Sequence, residues 1–225
     1  MKALPFDAYD FFGYVASGLV LVVVSQLTLG FPKVFGADLK PFDIAVTVLG
    51  VYIAGQITAG PAKAILEDLL IGKVLGSPSH NLLHPANRRL AKILFPGYYK
   101  PLPRGIREKF AARIAPTLTR STGPEDVFLS VRYAPEVLAS ESLISKIDTF
   151  RDKYGFARNV SFSLLFAGAC FAVFAYRKVD VKFIHFSLAA LVAGVFLLYR
   201  FLKFYRQYSY ELFNAYAQMA EKGTT

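Results

Sequence analysis

The chain has 225 residues, 54% of them hydrophobic, with a formal charge of +10, no Trp and a single Cys. Its apolar residues lie in a few long runs instead of recurring at helix or strand period, which excludes an ordinary soluble domain and points to a polytopic membrane protein. The positive excess fits loops kept on the cytoplasmic side better than nucleic-acid binding, and Cys170, inside an apolar run, excludes a disulfide framework or a cysteine-based metal site.

Residues 1–10 form a short lead-in in which Asp7 or Asp10 is placed to cap the following helix. They carry no clear positive region and no Ala-x-Ala site, so the first apolar run is read as a retained span. That run, 11–32, is uncharged and closes at Gly30-Phe31-Pro32. Gly13 and Ser17, one turn apart, leave room for a neighbouring helix. A loop from Lys33 to Asp43 turns the chain into a second span, 44–62. Gly50 and Ala54 are spaced for close helix contact, with Gly55 beside them, and Gln56 is expected to hydrogen-bond to another helix. Gly60-Pro61 is expected to bend this span near its end.

The helical pattern continues to Leu75 with Ile65, Leu66, Leu69, Leu70 and Val74 on roughly one face, and Gly76-Ser-Pro-Ser79 stops it. Prolines then punctuate a polar, basic stretch, for which the spacing predicts short helices over 85–95, 104–114 and 125–133. From about Ser142 an amphipathic helix (Leu143, Ile144, Ile147, Phe150) runs without a breaker into a third span, 159–176. Its 18 uncharged residues give roughly 27 Å of helix, close to the hydrocarbon thickness of a bilayer. A fourth span covers 183–199 and continues as a helical tail from Arg200 to Ala220. Gly168 with Ala172, and Ala190 with Gly194, are further small-residue pairs suited to helix packing. Tyr9, Tyr14, Tyr52, Tyr176, Tyr199 and Tyr205 take the interfacial places that Trp often fills.

The expected fold is therefore an all-α membrane protein. It comprises a hairpin (1–62), a basic cytoplasmic helical segment (63–157), a second hairpin (158–199) and a cytoplasmic tail (200–225). Arg151, Lys153, Arg158, Arg200, Lys203 and Arg206 set the orientation, with both termini cytoplasmic; Arg177, Lys178 and Lys182 in the outer loop go against it.

His80 and His84 are four apart, as zinc ligands on one helical turn would be, but the His-Glu-x-x-His pattern is missing and Pro85 follows at once. No metal, cofactor or catalytic residue is therefore assigned. Arg88, Arg89 and Lys92 lie in a stretch that alternates basic and apolar residues, and they are candidate contacts to anionic lipid of the inner leaflet. The span centres hold no Asp, Glu, Lys or Arg, which argues against a transporter built on buried charge.

Three pieces, Tyr9-Asp-Phe-Phe-Gly-Tyr14, the stretch from Phe156 to Leu165 and the tail from Arg200 to Tyr216, resemble those of small uncharacterised bacterial four-span membrane proteins. The resemblance implies a multi-pass location in the inner membrane and no particular activity. The expected partners are the lipid bilayer, further copies of the chain and a cytoplasmic protein, with nucleic acid disfavoured. The expected function is a homo-oligomer with a cytoplasmic sensing or partner-binding platform, with or without a gated pore. The alternatives are a membrane-embedded enzyme acting on lipid head groups and a non-catalytic anchor subunit.

Overall fold

A computed structural model describes residues 8–30, 40–84, 89–115, 123–178 and 180–219, and their regular structure is entirely helical. In chain order the helices are α1 (Ala8–Leu29), α2 (Pro41–Ala62), a π-helical run (Lys63–Leu75), α3 (Pro78–Leu83), α4 (Arg89–Leu94), α5 (Arg104–Ile114), α6 (Pro124–Arg132), α7 (Pro135–Leu138), α8 (Glu141–Lys178) and α9 (Val181–Gln218). Four helices are long and apolar enough to cross a membrane: α1, α2 with its continuation, α8 and α9.

Local chemistry sets the boundaries. Pro41, Pro78, Pro124 and Pro135 each open a helix, where the missing amide hydrogen costs nothing and the fixed φ is already helical. Asp43 accepts from the Lys40 amide at 3.1 Å, Asp126 from the Gly123 amide at 2.9 Å and Ser77 from the His80 amide at 3.3 Å, satisfying donors that a helix start leaves orphaned. Gly30 and Gly76, with φ of 71° and 80°, end α1 and the π-helical run in a conformation that a side chain would strain.

The continuation of α2 differs from the α-helical face expected over Ile65, Leu66, Leu69, Leu70 and Val74. Ala62, Leu66, Ile71 and Leu75 are buried, whereas Ile65, Leu69 and Val74 are exposed. Spacings of four, five and four belong to a ladder that bonds five residues back, as the Gly76 amide does to the Ile71 carbonyl at 2.7 Å. The run begins just after Pro61, which cannot donate to the α-helical ladder.

The chain divides into two compact units, Met1–Leu70 with Asp152–Phe201, and Ile71–Arg151 with Leu202–Thr225. The chain passes between them three times, after Leu70, Arg151 and Phe201. Within the first unit α1 and α2 run antiparallel in backbone contact. A Cβ on Gly18 would overlap the Val51 carbonyl oxygen, and one on Gly55 would overlap the carbonyl oxygen of Tyr14. Helices α8 and α9 are tied by a reciprocal pair of hydrogen bonds. Ser161 Oγ donates to the Gly194 carbonyl and Ser187 Oγ to the Gly168 carbonyl, both at 2.8 Å. The same Ser-x6-Gly spacing occurs on each helix, so an antiparallel pairing makes the contact twice. A Cβ on Gly168 would stand 2.6 Å from Leu191 Cγ and one on Gly194 2.9 Å from Leu165, which shows how closely these two helices approach. Val24 of α1 joins Ala167 and Phe171 of α8 in a small core against which Phe183 and Ala190 of α9 pack.

The outward faces of this unit are greasy. Phe42, Ile44, Val46, Leu49, Ile53 and Ile57 on α2, and Leu188, Val192 and Phe196 on α9, are all exposed. At about 25 cal/mol per Å² such surface is unfavourable in water and neutral against lipid tails. These faces suit a bilayer better than water.

The second unit has an aromatic core. Phe110 of α5 meets Phe213 of α9 with ring centroids 4.7 Å apart, and Phe128 of α6 meets Tyr208 at 5.4 Å. Val131, Val137, Ile147 and Leu212 are buried around them. Arg113 stacks over Tyr216 at 4.8 Å and donates to the Met219 carbonyl, which fixes the end of α9. Burial pushes the Tyr208 phenol above its ordinary value, although the hydrogen bond and charge of Arg132 pull the other way. The folded state thus holds that proton more tightly than the unfolded chain. Stability contributed by this group is complete below about pH 10 and falls as pH rises further. In an alkaline titration followed by circular dichroism, Tyr208→Phe is expected to flatten the loss of helix above that pH.

Candidate functional site

Three groups of residues bring chemistry-bearing side chains together, one in the first unit and two in the second.

In the first unit the π-helical run turns Glu67 inward, where its Oε2 receives Arg158 Nη1 at 2.6 Å. Both side chains are mostly shielded, 12% and 14% exposed. Arg158 Nε also donates to Asn159 Oδ1 at 3.1 Å, which holds the guanidinium in place. Arg158 counts in the sequence as a cation orienting the third span; in the folded chain its charge is spent on Glu67. Asp152, Asn159, Ser161 and Ser163, in the middle of α8, are buried, and Ser163 Oγ has no partner among the described residues.

In the second unit the last carbonyls of the π-helical run are met by side chains from elsewhere. Asn81 Nδ2 donates to the Leu75 and Gly76 carbonyls at 3.3 and 3.1 Å, Tyr98 to Gly76 at 2.8 Å and Tyr99 to Leu75 at 2.9 Å. These polar groups terminate a helix and form no reactive constellation. Beside them the rings of His80 and His84 lie 5.2 Å apart, with His84 already in extended backbone past the end of α3. Among the described residues no three His, Cys, Asp or Glu side chains gather closely enough to hold a metal ion.

The third group is α4. Leu90, Ile93 and Leu94, at helical positions i, i+3 and i+4, are 79%, 75% and 60% exposed, and Lys92 is exposed beside them. A soluble surface seldom presents three adjacent aliphatic side chains this openly on a single short helix. Of the candidate lipid contacts, Lys92 is in view, Arg88 lies outside the described residues, and Arg89 opens α4 with its side chain undescribed.

The packing candidates fall in different places. Gly168 and Gly194 lie at the α8–α9 contact, and Ala190 packs beside the Phe171 core. Ala54 is half-buried, Ala172 is exposed, and Gly50 has nothing within 4 Å of where a Cβ would sit. Gln56 does not reach another helix as expected: it is exposed and donates to the Tyr52 hydroxyl at 2.9 Å, one turn back on its own helix. A Tyr four residues away satisfies the amide locally, so no interhelical partner is required.

Two features escaped the sequence reading. The repeated Ser-x6-Gly spacing in the last two spans was there to be counted, and Glu67 stood out as an acid beside the buried Leu66. No protein-family model matches this chain, and comparison with curated proteins and with solved structures finds no similar one.

Proposed function

We propose that the chain is a homo-oligomeric, multi-pass protein of the inner membrane whose second unit is a cytoplasmic sensing platform, with α4 as the contacting surface and the anionic inner leaflet as what it contacts. The carrying observation is the open aliphatic face of α4 with Lys92 at its side, which matches a helix lying in a bilayer interface. Arg88 and Arg89, next to it in sequence, supply further attraction to anionic head groups, about 1 kcal/mol per basic residue. Self-association is supported by α2, whose Gly50 and Gly60 have open space where a Cβ would sit and whose Leu49, Ile53 and Ile57 are exposed.

The test uses the full chain with Cys170→Ser and a nitroxide on Ile93→Cys. In vesicles containing anionic lipid, the label is expected to collide more with oxygen than with a water-soluble nickel complex, and the opposite order would overturn the α4 reading. An impermeant maleimide should spare the same cysteine in intact cells and label it after lysis. Labelling in intact cells would overturn the orientation, and a strict monomer in mild detergent would overturn self-association.

A further inference from the structure

Two open grooves of similar size lie at the end of the first unit where α8 gives way to α9. One, of about 590 Å³, is bounded by the last turn of α1 and by α8, with Leu29, Ala169, Val173 and Phe174 as its apolar wall and Arg177 and Lys178 at its rim. The other, of about 560 Å³, lies between α8 and α9 and is lined among the described residues by Ala172, Ala175, Tyr176, Val181, Ile184 and Ser187, none of them charged. Each is within the size range of small-molecule sites.

The rim of the first groove is what needs a reason. Cations in the last turn of a helix are favoured by its dipole, but that effect is small and asks for no groove. Among the described residues Arg177 and Lys178 have no ion-pair partner, and both are exposed. In the orientation set by the remaining basic residues they also stand on the side where cations are disfavoured. The neighbouring polar atom does not compete for an anion, because Thr28 Oγ1 donates to the Val24 carbonyl at 2.7 Å. An apolar trough running into the hydrocarbon, with two cations that have no ion-pair partner among the described residues where the head groups begin, has the chemistry of one kind of ligand.

We propose that the groove between α1 and α8 binds a phospholipid whose head group carries net negative charge, with an acyl chain along Leu29, Ala169, Val173 and Phe174 and the phosphate against Arg177 and Lys178. The site stands whichever way the spans are oriented, so it is independent of the function proposed above. The second groove takes an acyl chain without regard to head group, because nothing at its rim distinguishes one from another.

The chain lacks Trp, so single reporters can be placed in the full-length protein. Phe174→Trp reports the first groove and Ile184→Trp the second. Each is reconstituted in vesicles and quenched with dibrominated phosphatidylglycerol or dibrominated phosphatidylcholine. The Phe174→Trp reporter is expected to favour phosphatidylglycerol about thirtyfold at low salt, as two interfacial cations at about 1 kcal/mol each would dictate. The Ile184→Trp reporter is expected to show no preference. Adding Arg177→Gln and Lys178→Gln to the first reporter should bring its ratio to one. Equal quenching of the first reporter by both lipids, or a preference that survives neutralisation, overturns the proposal. If the doubly neutralised protein does not fold, 0.5 M salt on the parent reporter serves instead. Screening should cut its preference several-fold, and an unchanged ratio overturns the site. Val173→Trp replaces Phe174→Trp if the latter perturbs the Phe174–Phe183 ring contact.

Discussion

Gly55→Ala is expected to destabilise the first unit by about 3 kcal/mol, the upper part of the range for overpacking, whereas Gly50→Ala, five residues earlier on the same helix, should stay within about 0.5 kcal/mol of the parent. The same methyl group meets opposite surroundings. At Gly50 it enters open space, and at Gly55 it lands on the Tyr14 carbonyl, with the α-carbon of Tyr14 also within 2.8 Å. A flexible side chain would swing aside, but backbone cannot, so the helix axes must separate and give up contacts along the whole α1–α2 crossing. Gly18→Ala should behave like Gly55→Ala, since its Cβ strikes the Val51 carbonyl and comes within 2.7 Å of the Gly55 amide nitrogen. Reversible unfolding in mixed micelles, with detergent composition as the denaturing axis, measures all three. Equal stability of the Gly50 and Gly55 variants would mean that α1 and α2 do not cross where the structure has them.

This crossing shows what the sequence could and could not disclose. The spans were legible because charge is missing from long runs, and lipid tolerates little else. The helix start at Pro124 was legible for a similar reason, since proline has few places to go, whereas the sequence reading puts Pro41 in a loop, Pro78 in a stop and Pro135 at no start at all. Which face of a span meets its neighbour was not legible. Helix α2 offers Gly50, Ala54, Gly55, Ala59 and Gly60, all suited to close approach, and in lipid no hydrophobic contrast marks one side as inward. The π-helical run was hidden differently. Its aliphatic residues are dense enough to fit a 3.6-residue period as well as a wider one, and the choice was made by Pro61 upstream and by the burial of Leu66, Ile71 and Leu75. For α4 the alternation of basic and apolar residues drew attention to Arg88, Arg89 and Lys92. The structure's own emphasis falls on Leu90, Ile93 and Leu94, which a sequence reader counts as core until they are seen uncovered.

Arg158→Met is expected to cost about 3 kcal/mol, and Glu67→Leu about as much, because each leaves the other's charge shielded from water without its counter-ion. The pair itself is worth far less than either loss suggests. Bringing both ions out of water offsets most of their attraction, so the double variant Glu67→Leu with Arg158→Met should unfold within about 1 kcal/mol of the parent. The coupling energy from that cycle, read in the same micelle titration, is the measurement. Additive losses in the double variant would show that the two side chains do not meet. A further comparison separates charge from hydrogen bonding. Glu67→Gln keeps an acceptor for Arg158 Nη1 and should lose less than Glu67→Leu, by roughly the strength of one hydrogen bond to a charged group, about 1.5 kcal/mol. The energetics also suggest why an ion pair occupies a place that two aliphatic side chains could fill. Glu67 faces Arg158 in the π-helical run, and an α-helical run over the same residues would rotate its side chain about the helix axis, away from the position in which Arg158, braced by Asn159, meets it. The pair therefore penalises the competing register by the cost of an unpaired shielded ion, while adding little to the stability of the chosen one. Circular dichroism cannot distinguish the two ladders, but amide exchange can. In the double variant the amides from Glu67 to Leu75 should exchange faster than in the parent, with those of α8 unaffected.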